Sequence, residues 1–322
     1  MDKILACQRS KTHDIWITIM REKQIWSKFG IDMEARYIPS GEMDHDSVDQ
    51  HMKEGTLNLV FGYHHIPYVA RAKKGSVKYT SVASISNKCP DVICVKPSIK
   101  GLKDLRGKRI AVQGYHPRST VWRLLNLEGI SVEDGEVEFM KRPASGAVYE
   151  GMLDQLKNGE ADAAFLQPPY DKRAQEAGYV ALEETRFFPN IMGATLTMTG
   201  DFAKNNPATV EKLIKAMIYG IWFLKTHPDE CLSIITRVAR ETEGKKIEDE
   251  YFHYAFRRQI EILESKPYPT ALAIYHIHEQ AVYLHPEIPN LKDLNPISVW
   301  DTHWVRNIDD SGFIDDLYAT GA

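Results

Sequence analysis

Cys7 and two histidines are the side chains of this sequence best suited to covalent or acid–base chemistry. Cys7 ends the short apolar stretch "ILAC", His45 lies in the polar segment "PSGEMDH", and His64 follows another apolar run in "GYHH". A thiolate forms most readily beside a cation or a histidine. Cys7 with His45 or His64 is therefore a candidate catalytic set. The alternative is that Cys7 is a small apolar side chain at the end of a buried strand.

A second group of side chains suits the binding of an organic anion. The segment "QGYHPRST" places Pro117 at a helix start, with Ser119 or Thr120 as its cap. Free backbone N–H groups at a helix start favour an anion, and the guanidinium of Arg118 adds a forked donor for a carboxylate or sulfonate. The alternative is a capped helix that holds no ligand.

Further candidate ligand contacts lie where other apolar runs end. Gln167 and Tyr170 in "LQPPYD" offer hydrogen bonds and a ring for stacking, although consecutive prolines also fit a stiff turn. The neutral imidazole of His64, in "GYHH", offers both a hydrogen-bond donor and an acceptor. The remaining candidates for ligand binding are Arg9, Ser10, Tyr63, His64, Tyr115 and Asn190.

Composition excludes several classes of function. The net charge of −4 and the pI near 6.3 argue against a nucleic-acid partner. The four cysteines lack the paired spacing of a zinc or redox site, and Cys89 and Cys94 are not expected to form a disulfide. His276 and His278 add imidazoles without a convincing ligand set, so no metal is expected. Nucleotide-binding fingerprints are not recognisable, and no cofactor is expected.

The residues around the first cysteine bear on targeting. A small residue before a cysteine resembles a lipoprotein cleavage box, but six residues are too few for a leader before Cys7. No apolar run reaches the ~18 residues of a membrane span. The expectation is a cytoplasmic protein as the sequence is written, and a periplasmic one if a leader has been removed.

The elements that position these side chains follow an α/β pattern. Short apolar runs alternate with amphipathic stretches twice, before Ser86 and after Asp91, and the chain is mostly helical from Pro207 onward. This pattern predicts a discontinuous lobe one (residues 1–86 and 195–322) and a lobe two (residues 87–194). Ligands of open α/β sheets bind beyond the carboxyl ends of the strands, which predicts an interlobe cleft.

Three segments resemble type II periplasmic binding proteins, and in particular the nitrate/sulfonate/taurine branch that includes thiamine-pyrimidine synthesis proteins. They are "GLKDLRGKRIAV", "LKNGEADAAFLQPPY" and "DFAKNNPATVEKLIKAMIYGIWFLKTHPDE". The resemblance covers the chain from about Lys3 to Glu230. It implies a two-lobe fold with an interlobe ligand cleft, a helical C-terminal portion and hinge closure around a ligand.

The resemblance implies two kinds of function. Most members of the branch are solute-binding proteins that serve ABC transporters, which implies a small organic acid as ligand and a transporter permease as partner after export. A minority are cytoplasmic desulfinases or decarboxylases, and Cys7 and His45 match the desulfinase cysteine and histidine. Where the desulfinase arginine is expected the sequence offers Lys53, and the alternatives are Arg9 and Arg71. The binder is the favoured function and the lyase or hydrolase the alternative.

Overall fold

The chain forms two compact units. The computed structural model describes residues 1–9, 13–38, 43–112, 115–140, 148–187, 194–243 and 249–320, with all side chains except those of 115–120, 243, 249 and 320. Unit 1 comprises Met1–Asn87, Met192–Ile247 and Leu263–Ala322. Unit 2 comprises Lys88–Ile191 and Glu248–Ile262.

Each unit is built on one mixed sheet, and the strands are numbered along the chain. Unit 1 contains β1 (Asp2–Gln8), β2 (Ile31–Tyr37), β3 (Leu59–Phe61), β4 (Tyr79–Ser86) and β10 (Ala194–Thr199). Unit 2 contains β5 (Val92–Val95), β6 (Arg109–Ala111), β7 (Glu138–Phe139), β8 (Ala163–Leu166) and β9 (Val180–Leu182).

Strand order puts the predicted functional loops at one edge of each sheet. The order in unit 1 is β2-β1-β3-β10-β4, and β1 runs parallel to β2 and β3. The order in unit 2 is β7-β6-β8-β5-β9, and β6 runs parallel to β7 and β8. We call the segments that follow β1, β2 and β3 the carboxyl edge of unit 1. Those that follow β6, β7 and β8 form the carboxyl edge of unit 2.

Helices cover the two sheets. They are α1 (Asp14–Glu22), α2 (Ile25–Lys28), α3 (His45–Glu54), α4 (Ile66–Ala72), α5 (Tyr115–Leu127), α6 (Val148–Lys157), α7 (Tyr170–Glu176), α8 (Gly200–Asn205), α9 (Pro207–Thr226), α10 (Pro228–Glu243), α11 (Asp249–Glu261), α12 (Ala271–Leu284), α13 (His303–Asp310) and α14 (Phe313–Thr320). The core of unit 1 contains the rings of Trp16, Trp26 and Trp222, each at most 5% exposed.

Two helix boundaries differ from the sequence prediction. The spacing of Ile15, Ile19, Trp26 and Phe29 and the glycine at Gly30 predict a single helix that ends there. Instead, the backbone of Gln24 adopts a left-handed conformation with φ 52° and separates α1 from α2. Helix α5 begins at Tyr115, so Pro117 lies in the first turn, where a missing N–H has no helical partner to lose. Ser119 and Thr120 therefore lie inside the helix, and the prediction that they cap it is wrong.

Helix α11 belongs to unit 2, whereas the sequence-based division placed it in lobe one. The reason is a set of contacts between α11 and α7, one of which reaches a buried ion pair. Arg186 Nη1 donates to Asp171 Oδ2 at 2.8 Å, and these side chains are 2% and 0% exposed. The hydroxyl of Tyr254, from α11, donates to the same oxygen at 2.7 Å. This hydrogen bond fixes α11 to α7.

The described part of the structure contains neither a disulfide nor a helix that could span a membrane. Cys7, Cys89, Cys94 and Cys231 are free thiols. No helix in the described part of the chain is long and apolar enough to cross a bilayer.

Candidate functional site

Cys7 ends up inside unit 1, beside an arginine. It lies near the end of β1 with no exposed surface, packed against Val60 and Tyr63. Burial raises the pKa of the Cys7 thiol, although the Arg9 guanidinium opposes this shift by its charge and by a hydrogen bond to the sulfur. The thiol is therefore the stable form at neutral pH, and Cys7 is not poised as a thiolate.

Arg9 provides a cation at the carboxyl edge of unit 1. Its backbone N–H donates to the carbonyl of Phe61 at 3.3 Å, which fixes its position next to the end of β3. Its Nη1 donates to the carbonyl of Ile38, beyond the end of β2, at 3.1 Å. The half-buried guanidinium thus lies where the ends of β1, β2 and β3 meet. Of the arginines considered from the sequence, Arg71 instead donates to the carbonyl of Tyr79.

His45 is the first residue of α3 and joins the same edge. Asp44 caps the helix by accepting the backbone N–H of Ser47 at 2.8 Å, which places His45 in the first turn. Nδ1 of His45 lies 3.2 Å from the hydroxyl of Tyr63. Burial, followed by the positive charge of Arg9, lowers the pKa of His45 to about 4. The imidazole is therefore neutral at physiological pH.

Tyr63 connects His45 to two residues that sequence reasoning missed. The ring of Tyr63 is 2% exposed and meets the ring of Tyr79 edge to face, with centroids 5.4 Å apart. The Tyr79 hydroxyl donates to Asp49 Oδ1 at 2.5 Å. Tyr79 begins β4. Asp49 lies one helical turn after His45, and this spacing is the sequence signal that could have identified Asp49.

Gly62 allows the turn that delivers Tyr63. Its φ of +76° lies in the left-handed region, and a Cβ at this position would collide with the ring of His13. Glycine is therefore required between β3 and Tyr63.

The other histidines separate into different places. His64 is half-buried after β3, and the ring of His65 is stacked on that of His285 at 6.0 Å between centroids. His276 and His278 are buried in α12, where His278 Nε2 lies 2.7 Å from the carbonyl of Leu291. Over the residues that the structure describes, no group of three or more His, Cys, Asp or Glu side chains could hold a metal ion.

The carboxyl edge of unit 2 carries an aromatic pair. Gln167 follows β8, and Tyr170 begins α7 two prolines later. The Tyr170 ring is stacked on Tyr149, the second residue of α6, with centroids 6.0 Å apart and planes 18° from parallel. The Arg173 guanidinium lies over the Tyr170 ring at 5.6 Å. Tyr149 and Arg173 thus contact the Tyr170 ring, and its stacking on a ligand stays a prediction.

Asp91 is a carboxyl group of this edge that sequence reasoning also missed. Because Val92 pairs with Leu166 in antiparallel register, Asp91 and Gln167 leave the sheet at the same end. Asp91 is 6% exposed and accepts a hydrogen bond from the Tyr149 hydroxyl at 3.3 Å. Burial raises the pKa of Asp91 to about 6, despite hydrogen bonds from Cys89 and Tyr149 that lower it.

Replacing Asp91 with asparagine should flatten the pH dependence of unfolding. In the native state Asp91 binds its proton more tightly than in the unfolded chain, so its contribution to the free energy of unfolding falls as pH rises from about 4 to about 6. A shift of about two pKa units corresponds to about 3 kcal/mol. Urea unfolding between pH 4 and pH 7 gives the free energy of unfolding of both proteins. The difference between wild type and Asp91→Asn at each pH measures the contribution of Asp91.

The matched control is Asp134→Asn, which changes an exposed carboxyl of the same unit and should leave the profile unchanged. Identical pH profiles for wild type and Asp91→Asn would show that this carboxyl is not buried as described.

Several predicted site residues cannot be placed. Ser10 and Asn190 lie outside the described residues, and so do the side chains of Tyr115, Arg118, Ser119 and Thr120. Their roles in binding stay predictions. For Tyr115 and Arg118 the structure gives the backbone, which begins α5 at the carboxyl edge of unit 2.

Comparison with known proteins agrees with this fold. Two mixed α/β sheets, each covered by helices, are the fold of periplasmic binding proteins. Residues 23–231 match the NMT1/THI5-like family, and the chain belongs to that family. A candidate binding protein of Brucella abortus (strain 2308) is 24% identical over 247 residues, which cover 72% of this chain and 73% of that protein.

Solved structures share the fold at low sequence identity. The periplasmic aliphatic sulphonate-binding protein SsuA of Escherichia coli superimposes with a TM-score of 0.67 and 15% identity, covering 90% of this chain and 89% of its own. The desulfurization enzyme DszB gives a TM-score of 0.61 and 16% identity, covering 95% of this chain and 98% of its own. The resemblance and fold class predicted from the sequence are thereby confirmed.

Proposed function

We propose that this chain binds a small organic anion, a carboxylate or a sulfonate, in the manner of a solute-binding protein. The observation that carries the proposal is the position of Arg9. Its guanidinium lies where three parallel strands end, beside a neutral imidazole and a neutral thiol. A guanidinium in such surroundings forms charge-assisted hydrogen bonds with an anionic oxygen. The similarity to a sulphonate-binding protein supports the same ligand class.

The raised pKa of Cys7 supports binding over catalysis. A nucleophilic cysteine needs a thiolate, and burial of this sulfur outweighs the effect of Arg9. The second candidate is a lyase or hydrolase, a desulfinase or decarboxylase that uses Cys7 with His45 or His64. The contact between Arg9 and Cys7 and the fold shared with DszB favour it. In that case Arg9 takes the place of the arginine that the resemblance implies where the sequence has Lys53.

The partner and location follow from the proposed class. A solute-binding protein delivers its ligand to the permease of an ABC transporter, and the similarity to a periplasmic protein supports a periplasmic location. The placement of the ligand in an interlobe cleft stays a prediction.

Binding and turnover can be separated in one experiment. Purified protein is titrated with ethanesulfonate, benzenesulfonate, benzoate and benzenesulfinate by calorimetry, with benzylamine as the cationic control. We expect heat of binding and thermal stabilisation with anions, none with benzylamine, and no release of sulfite or CO2. Release of sulfite from benzenesulfinate that is lost in Cys7→Ser would replace the binder by the enzyme. Absence of binding to every anion would overturn both.

A further inference from the structure

A groove opens between α7 and α11 in unit 2. Its volume is about 480 Å³, which is within the range of small-molecule sites. None of the side chains that line it was among the candidate contacts for the organic anion. They are Lys172, Gln175 and Glu176 of α7, Glu183 after β9, and Tyr254 and Arg258 of α11. Two cations and two carboxylates line the groove, so its lining carries no net charge.

At one end of the groove the charges neutralise one another. Lys172 Nζ donates to Glu176 Oε1 at 2.6 Å and to Glu250 Oε1 at 2.8 Å. The Tyr251 hydroxyl donates to the other carboxylate oxygen of Glu176. These contacts join α7 to α11 directly. This end of the groove therefore holds α11 in place and offers little charge to a ligand.

The other two charges of the lining are arranged differently. Arg258 and Glu183 line the same groove, but each pairs with a residue outside the lining. The two oxygens of Glu183 accept from Arg186 Nε and Nη2 at 2.7 and 2.9 Å. Arg258 Nη1 donates to Glu261 Oε2 at 2.9 Å. Among the residues that the structure describes, no ion pair joins Arg258 to Glu183, so opposite charges border one space without touching.

Both side chains keep the capacity to bind a further group. A carboxylate accepts about four hydrogen bonds and a guanidinium has several N–H donors, more than the contacts above use. The side chains of Glu183 and Arg258 are 57% and 28% exposed. Hydrogen bonds from Arg186, together with the weaker effect of the Arg258 charge, hold the pKa of Glu183 below its usual value, so Glu183 is ionised at neutral pH. The Arg258 guanidinium lies over the Tyr254 ring at 5.3 Å, at the wall of the groove.

We propose that the groove between α7 and α11 binds a small zwitterion, whose carboxylate accepts hydrogen bonds from Arg258 and whose ammonium group donates to Glu183. Because the lining has no net charge, an anion or a cation alone gains attraction from one wall and repulsion from the other. An amino acid carries both charges and matches both walls. The bound zwitterion bridges α11 and the segment after β9. This site does not rest on the anion site proposed at Arg9.

Binding in the groove can be observed at Tyr254. Protein labelled with ¹⁵N-tyrosine is titrated with glycine, β-alanine, γ-aminobutyrate and ε-aminocaproate, which carry the same two charges at increasing separation. The Tyr254 amide signal is identified by its loss in Tyr254→Phe. We expect at least one amino acid to shift it saturably in the millimolar range, since contacts between partly exposed charges are weak. The signal of Tyr275, an exposed tyrosine of unit 1, should not move. Butyrate and butylamine, with one charge each, should bind at least about fivefold more weakly.

Two variants test the roles of the two walls. Arg258→Gln and Glu183→Gln should each weaken binding of the best amino acid by about five- to tenfold, because each removes one of two charged contacts. Glu183→Gln also disturbs the contact with Arg186. Arg258→Gln is therefore the decisive variant, since its other ion pair is with the exposed Glu261. Thermal unfolding shows whether each variant remains folded.

The matched controls are Arg106→Gln and Glu160→Gln, at exposed positions of the same unit, which should leave the titration unchanged. A Tyr254 signal that no amino acid moves overturns the proposal. Equal affinity for butyrate and the amino acids shows an anion site and overturns the zwitterion. A shift that persists unchanged in Arg258→Gln places the ligand elsewhere and overturns the proposal as well. None of these outcomes depends on whether an organic anion binds at Arg9.

Discussion

Replacing Arg9 with methionine is expected to weaken binding of ethanesulfonate or benzoate by about 10- to 100-fold. A hydrogen bond to a charged group contributes about 1.5–3 kcal/mol, and each 1.4 kcal/mol is a factor of ten in affinity. Methionine keeps much of the aliphatic stem and removes the charge and the forked donor. Arg9→Lys should give an intermediate loss, since the ammonium keeps the charge without the fork. Titration calorimetry at constant ionic strength measures both.

The control for this experiment is another arginine of the same sheet. Arg36 lies at the exposed end of β2, where its side chain is 74% exposed and paired with Glu34. Arg36→Met removes the same charge from the protein and should change anion affinity little. Equal losses in Arg9→Met and Arg36→Met would mean that overall charge, not the site, attracts the ligand. An unchanged affinity in Arg9→Met would remove Arg9 from the site.

Replacing Arg186 with methionine should destabilise unit 2 by about 3–5 kcal/mol, the usual effect of leaving one member of a buried ion pair alone. Arg186 Nη1 donates to Asp171 and to the carbonyl of Pro90 at 2.9 Å, and its Nε and Nη2 donate to Glu183 at 2.7 and 2.9 Å. Without the guanidinium, Asp171 remains buried with the Tyr254 hydroxyl as its donor. Hydrogen exchange should become faster at the amides of β5 and β8 than at those of β1 and β3.

A second variant separates lost charge pairing from lost packing. In Arg186→Met with Asp171→Leu no uncompensated charge is left, so part of the stability should return. The control Arg106→Met, in an ion pair with Glu136 whose arginine is 52% exposed, should cost at most about 1 kcal/mol. If Arg186→Met costs no more than Arg106→Met, the pair is not buried in solution.

Much of the fold could be predicted because it depends on local patterns. Apolar runs of strand length, such as those around Cys7 and before Gly62, form buried strands that pair in parallel. The loops after these strands lie at one edge of the sheet. The helix break at Gln24 carries no comparable signal, since glutamine is an ordinary helix former. The place of α11 depends on long-range contacts with α7, such as the hydrogen bonds from Tyr254 to Asp171 and from Tyr251 to Glu176, which no local pattern indicates.

The candidate site was predictable in part, for the same reason. Arg9, His45 and Tyr63 each follow a strand, and position along the chain was enough to select them. Tyr79 and Asp91 stand at strand starts, where sequence reasoning did not look. Their relevance arises because β4 begins near the Tyr63 ring, and because antiparallel β5 starts where β8 ends.

The sequence by itself determined the family, the α/β class and the strand ends that carry polar side chains. These follow from short-range periodicity and from segments shared with relatives. The protonation states of Cys7 and His45 were decided by tertiary structure alone. Both depend on burial, and His45 depends also on the charge of Arg9, which is distant in the chain. Solvent exclusion exists only once the units have folded.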